Sequence, residues 1–370
     1  MRVAFLNWRD STHPEGGGAE LYAQTVCAGL AARGHAVTLY CADHGRAPAD
    51  EQRDGYRIRR RGSRLSVYAA AVAQLRRDAA EEGAYDVVVD TQNGIPFFSP
   101  LQIRTPGVVL VHHVHREQWP VVFGPVQAHV GWFVESRVAT QVNRRRTYVA
   151  VSERTKEELG QLGVDLERIR VIHNGTNPPR LTGRDRAEDP TLVVLGRLVP
   201  HKRVEHAVDV IAALSSTHPQ ARLRIMGEGW WHDRIAAHAD ARGVADRVDL
   251  LGFVDEQTKA EELDRAWLSL APSVKEGWGL SVVEAASHGV PTVAYHGAGG
   301  LSESIADGRT GILVDSLDAM TAAARALIED GSRRARMAEE ARTHSARYTW
   351  EACVDAWESL LDEVSVSRRS

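Results

Sequence analysis

The sequence is poor in cysteine, in lysine and in long apolar runs, and each shortage closes off a class of protein. Its three cysteines, Cys27, Cys41 and Cys353, are too scattered for a disulfide framework or a zinc knuckle, so reduced structural thiols are expected. No apolar run approaches the roughly 20 residues that a membrane span needs. The opening MRVAFLNWRD is broken within a few residues by Asn7, Trp8, Arg9 and Asp10, which does not make a secretory signal. A cytoplasmic chain is the expectation. There is no GxGxxG fingerprint, no Walker GK[ST], no short repeat and no low-complexity tail. Lysine occurs only at positions 156, 202, 259 and 275 of an arginine-dominated chain, so a lysine beside a Gly-rich turn is informative.

What is present is ordinary for a soluble globular chain: 43% hydrophobic, 25% charged and 370 residues long, enough for two domains with a core each. A net charge of -4 argues against a nucleic-acid binder. The charge is uneven, about +3 in residues 1–177 and about -7 in the remainder, so an anionic or membrane-surface partner would dock on the first half.

Short apolar runs alternate with helical patterns along the whole chain. Residues 2–7 read as a strand, and Gly16, Gly17, Gly18, Ala19 and Glu20, after Glu15, lead into a helix closing at Gly34. A second strand over 35–41 completes a βαβ unit of the kind that binds nucleotides or phosphates. The arginine-rich 56–61 reads as an edge strand, 65–82 as a helix, and 86–90, 106–112 and 147–151 as buried parallel strands. The strand over 106–112 ends in His112, His113 and His115. Alternation points His112 and His113 to opposite faces, so a polar site is favoured over a metal. Residues 118–146, with Trp119, Phe123, Trp132, Phe133 and Arg144, Arg145 and Arg146, read as one long helix with an aromatic inner face; an acceptor or membrane-surface patch from Trp119 to Arg146 is the alternative. Asn174, Gly175, Pro178 and Pro179 mark a hinge, which gives domains of 1–178 and 179–347.

In the second half, strands over 192–198, 222–226, 248–251, 268–271 and 290–295 end in Gly-rich or basic turns. Two sets of alternating elements imply an α/β chain of two doubly wound parallel-sheet domains facing a central cleft. Parallel strands would gather Arg197, Lys202, Gly227, Gly252 and Glu276 on one rim. The stretch over 273–294 is the sharpest functional clue. Glu276 stands in a turn with Gly277, Trp278 and Gly279, and Glu284 follows about two helical turns on. The amides after Gly279, at Leu280 and Ser281, open a helix N-terminus suited to an anion, and Arg197 and Lys202 would neutralise a diphosphate. Glu284 has the acceptor oxygens for a ribose, Glu276 those for a sugar.

These residues resemble a known family. GGGAE at 16–20, His112 after its strand, VSERTKEEL at 151–159, VIHNGTN at 171–177, GRLVPHK at 196–202, MGEG at 226–229, GFV at 252–254 and the Glu276/Glu284 pair look like a retaining GT-B glycosyltransferase of family 4. The resemblance implies that Arg197 and Lys202 bind the donor diphosphate, Glu284 the ribose and Glu276 the donor sugar. Gly17 and Gly18 would approach the sugar phosphate, and His112 the donor sugar and acceptor. Donor contacts extend to Gly227, Glu228, Phe253, Val254, Gly277, Trp278, Gly279, Leu280 and Ser281. A last helix over about 348–366 would return to the first domain. Trp278 stands where many members carry Phe. With no Asp-x-Asp motif, no metal or other cofactor is expected. The implied partners are a nucleoside diphosphate sugar, UDP-hexose favoured, and a small-molecule, glycan or lipid-linked acceptor. An epimerase of the same fold would not explain Arg197, Lys202 and both glutamates together, and a non-catalytic binding module would not be expected to keep Glu276, His112 and Lys202 all intact.

Overall fold

The computed structural model describes residues 1–14 and 16–366; Glu15, the first residue of the Gly-rich turn, lies outside the described residues. The chain divides into two compact units, residues 1–175 with 350–370, and residues 176–349.

Unit 1 is built on eight strands: β1 (Arg2–Leu6), β2 (Ala36–Cys41), β3 (Asp50–Arg53), β4 (Tyr56–Arg60), β5 (Val87–Gln92), β6 (Gly107–Val111), β7 (Thr147–Ala150) and β8 (Ile169–Val171). Their order is β3-β4-β2-β1-β5-β6-β7-β8, all parallel except the β3–β4 pair. The central strands are almost wholly buried, which is why they read as continuous apolar runs rather than alternating ones. Helices α1 (Gly18–Ala32), α2 (Val67–Glu82), α3 (Trp119–Val122), α4 (Pro125–Phe133), α5 (Thr140–Val142) and α6 (Glu153–Gln161) connect them. The C-terminal helix Trp350–Val366 also belongs to this unit and packs on α1. Its Trp357 is fully buried and donates from Nε1 to the Tyr22 hydroxyl at 2.6 Å. Gly29 makes this approach possible, since a Cβ there would lie 2.5 Å from Val354.

Two expectations change here. The arginine-rich strand β4 is not the edge, because the hairpin partner β3 covers it. Its arginines pair with acids: the buried Arg60 with Asp10 and Glu51, and the half-buried Arg57 and Arg59 with Glu82. Residues 118–146 are not one helix. The chain turns at Phe123 and Gly124, and Pro125, which has no N–H to give, restarts it as α4. A π-helical segment, Val134–Ala139, then leads into α5. Trp119 and Arg146 turn inward: Trp119 donates to the buried Glu135 at 2.6 Å, and Arg146 to Ser99 at 2.8 Å. Val121, Phe123, Val126, Val130 and Phe133 remain exposed.

Unit 2 has six strands, all parallel: β9 (Thr191–Leu195), β10 (Arg222–Met226), β11 (Val248–Gly252), β12 (Leu268–Ala271), β13 (Thr292–Tyr295) and β14 (Gly311–Val314), in the order β11-β10-β9-β12-β13-β14. Around them run α7 (Val204–Leu214), α8 (His232–Ala241), α9 (Glu256–Arg265), α10 (Leu280–Ser287), α11 (Leu301–Ser304), α12 (Leu317–Glu329) and α13 (Gly331–Ser345). The order reverses between β9 and β12, the switch point at which open α/β sheets place ligands. At the unit's margin Thr176 and Thr349 form a parallel bridge, and the Thr176 amide donates to the Tyr348 carbonyl at 2.9 Å. Among the described residues no helix is long and apolar enough to cross a membrane.

Candidate functional site

In unit 2 the loops after β9, β10 and β11 lie side by side because glycine lets their backbones touch. Gly196 N–H donates to the Met226 carbonyl at 3.0 Å, Leu198 N–H to that of Glu228 at 2.9 Å, and Gly227 N–H to that of Gly252 at 2.8 Å. A Cβ on Gly227 would stand 1.9 Å from the Gly196 oxygen, and its φ of +141° already favours glycine. The loop carrying Glu276 is clamped similarly. The Glu276 amide donates to the Ala298 carbonyl at 3.1 Å, and its own carbonyl receives Gly300 N–H at 2.9 Å.

This scaffold brings Arg197, Lys202, Ser273, Glu276 and Ser281 to one small cavity at the switch point. Lys202 forms an ion pair with Glu276, and Ser273 donates to the same carboxylate at 2.7 Å. Burial pushes the Glu276 carboxyl up, but Lys202, Ser273 and His201 outweigh it, and the group is held below the ordinary carboxylate value. It is therefore an anion at neutral pH. An ammonium has three donors, so Lys202 keeps two after satisfying Glu276. Gly279, at φ +90°, caps α10; its carbonyl takes Val282 and Val283 N–H, leaving the first-turn amides of Leu280 and Ser281 at the helix mouth.

Other residues of the expected donor set lie outside this cavity. Glu284 accepts a hydrogen bond from Lys259 at 2.7 Å, and Lys259 also binds Glu256 at 2.9 Å. Burial pulls the Lys259 ammonium down, yet the two carboxylates hold it above its ordinary value. Glu228 and Phe253 are exposed after β10 and β11, while Val254 packs on the core with Val193 and Met226. The Trp278 ring is 2% exposed and packs edge-to-face on Tyr348 with centroids 4.7 Å apart.

In unit 1 the candidate groups sit at the C-terminal ends of the strands. Gly17 N–H donates to the Glu20 carboxylate at 2.8 Å, and Gly18 opens α1. His112 follows β6 directly, stands edge-on to Tyr22 with ring centroids 5.2 Å apart, and is 5% exposed. Burial, helped by nearby His115, lowers its imidazole to about 4, so it is neutral at physiological pH. Its Nε2 is buried without a hydrogen-bond partner among the described residues. The same is true of Asn7 Oδ1, Thr91 Oγ1, Gln92 Oε1 and Asn174 Oδ1. The register pairs Leu6 with Asp90 and Gln92 with Val111, so these groups share one end of the sheet. Buried polar atoms left unpaired at this end of the sheet are places where a polar ligand would supply the missing hydrogen bonds. The sequence reading missed Asn7, Thr91, Gln92 and Asn174; their place just inside or beyond strand ends was the available signal. It also missed Lys259, whose partner lies 25 residues away. Among the described residues no group of three His, Cys, Asp or Glu side chains is disposed to hold a metal ion.

Two Rossmann-like units, one with Arg197, Lys202 and Glu276 lining a cavity at its switch point, have the architecture of the GT-B class. Residues 16–180 match the model of Glycosyltransferase Family 4, and residues 183–344 that of Glycosyl transferases group 1. The chain belongs to this family, the family-4 type of GT-B glycosyltransferases. It is 36% identical over 225 residues to an exopolysaccharide phosphotransferase of Streptomyces coelicolor, covering 60% of this chain and 24% of that one. It is 30% identical over 243 residues to a glycogen synthase of Mycobacterium tuberculosis, covering 62% and 58% respectively. The matched region thus spans only part of these relatives, from 24% to 58% of their length. Among solved structures, a sucrose-phosphate synthase from Thermosynechococcus elongatus superposes with a TM-score of 0.85 at 18% identity, over 99% of both chains. HepE of Anabaena, in complex with UDP-glucose, gives 0.77 at 22%, over 98% of this chain and 100% of the other.

Proposed function

We propose that the chain transfers a hexosyl or N-acetylhexosaminyl group from a nucleoside diphosphate sugar, UDP-linked in the favoured case, to a hydroxyl of a small-molecule, glycan or lipid-linked acceptor. Retention at the anomeric carbon and independence of metal ions are part of the proposal. The observation that carries it is the grouping of Arg197, Lys202 and the α10 mouth in one cavity with Glu276. The bond from the anomeric carbon to the diphosphate oxygen breaks with its electron pair going to the diphosphate. Arg197, Lys202 and the helix amides stabilise that charge, the role a metal plays elsewhere. The acceptor oxygen bonds to the same carbon, and its proton passes to the departing diphosphate oxygen. Glu276 accepts from hydroxyls of the transferred sugar, Glu284 from the ribose, and neutral His112 with the orphaned groups of unit 1 serves the sugar and its acceptor. The UDP-glucose bound to a structure of the same fold supports the donor class.

A thermal-unfolding screen of UDP-, GDP- and ADP-sugars, each with and without a chelator, tests this. At least one nucleotide is expected to raise the midpoint by several degrees, equally with chelator present. Failure of every nucleotide would overturn the donor assignment, and a shift abolished by chelator would overturn metal independence.

A further inference from the structure

Unit 1 carries a second polar cavity at the other end of its sheet from His112 and Asn174. Its volume is about 210 Å³, and it is lined by Arg137, Thr140, Gln141, Arg144, Tyr148 and Arg168, together with the end of α6. Tyr148 stands one residue into β7 and Arg168 just precedes β8, so the cavity lies at the N-terminal ends of these strands.

Three features mark it as built for a ligand. Among the described residues no acidic side chain lines it. Arg137 and Arg144 form no ion pair among the described residues, unlike the arginines of β4. Arg168 is held by the backbone carbonyls of Asn143, Arg144 and Arg146, and so fixes the wall from which Arg144 projects. The decisive feature is Tyr148. It is fully buried, it lines the cavity, and its hydroxyl has no hydrogen-bond partner among the described residues. A buried phenol left unpaired costs stability unless something arrives to accept from it. Burial also raises its pKa above the ordinary tyrosine value, so it stays a neutral O–H donor. A cavity with uncompensated guanidinium groups and one idle O–H donor calls for a compact anion rich in acceptor oxygens.

We propose that this cavity binds a phosphate group, with Arg137 and Arg144 pairing to its oxygens and Tyr148 donating to a third. The site is separate from the proposed chemistry of transfer, so its occupant anchors or regulates the protein. The phosphate belongs either to a free phosphorylated molecule or to a lipid headgroup. Val126, Val130 and Phe133, exposed earlier on the same helical stretch, make the second source worth a separate arm.

The experiment titrates inorganic phosphate calorimetrically into the full chain and into Tyr148→Phe and Arg137→Gln/Arg144→Gln variants. A parallel arm co-sediments each protein with phosphatidylcholine vesicles, with or without phosphatidic acid. Phosphate taken up near Lys202 is common to all variants, so their differences report this cavity whether or not the donor assignment stands. Expected is a phosphate Kd raised several-fold in Tyr148→Phe and more than about tenfold in the double variant, or phosphatidic-acid-dependent sedimentation lost in both. The first result alone identifies a free ligand, the second a lipid. Tyr148→Phe removes only an unpaired hydroxyl, so it keeps the fold. Binding equal in all three proteins, or no binding in either arm, overturns the proposal.

Discussion

The two sheets end in rims of opposite character. That of unit 2 is charged and already paired, Lys202 with Glu276 and Lys259 with Glu284. That of unit 1 is neutral and under-satisfied, with Asn7, Thr91, Gln92, Asn174 and a depressed His112 holding buried atoms that have no hydrogen-bond partner among the described residues. The difference teaches how each half meets its ligand. A charged rim whose members hold one another receives an anion with little reorganisation. A neutral rim with idle donors and acceptors gains its hydrogen bonds only when a hydroxyl-rich ligand supplies them.

Removing the charge from the paired rim has the largest expected effect. Lys202→Met should lower sugar transfer by about 10²- to 10³-fold. It also strands Glu276, partly buried, without its cation, which should lower stability by about 1–3 kcal/mol in a denaturant titration. Adding Glu276→Gln should restore the stability and leave activity low. A Lys202→Met enzyme with full activity would erase the contrast between the rims.

The neutral rim is probed by pH. His112 has a folded-state pKa of about 4 against 6.5 for the unfolded chain. Between those values the unfolded state binds the extra proton, so stability attributable to this residue is complete above pH 6.5 and is lost as pH falls towards 4. At 1.36 kcal/mol per unit the loss is roughly 3 kcal/mol. His112→Gln should flatten the acid limb of a stability-pH curve by that order. Parallel curves for the two proteins would show that burial of a neutral imidazole is not what the fold enforces there.

Much of this contrast was legible in the sequence, and the illegible part has one cause. Local spacing exposed the charged rim: Glu276 among glycines, Glu284 two turns on, and Lys202 and Arg197 beyond a strand. The partnerships were hidden because they are non-local, as with Lys259 reaching Glu284 from α9. Strand β4 read as an edge because its arginines look solvent-bound until Asp10 and Glu51 are brought to Arg60. Residues 118–146 read as one helix because apolar periodicity continues across the Gly124–Pro125 break. The packing of the Trp278 ring on Tyr348 was likewise hidden, because its partner lies 70 positions further along the chain. The neutral rim was least legible, since an Asn or Gln at a strand end is only a weak signal until its neighbours leave it unpaired.

The central claim is that the unit 2 rim binds a nucleoside diphosphate, with Glu284 on the ribose. Calorimetric titration of UDP into the wild-type chain and into Glu284→Ala tests it directly. One UDP per chain is predicted for the wild type, with affinity about 10- to 100-fold weaker in Glu284→Ala and an unchanged unfolding midpoint for the free protein. Equal affinity in the two proteins, or no UDP binding by the wild type, would contradict it.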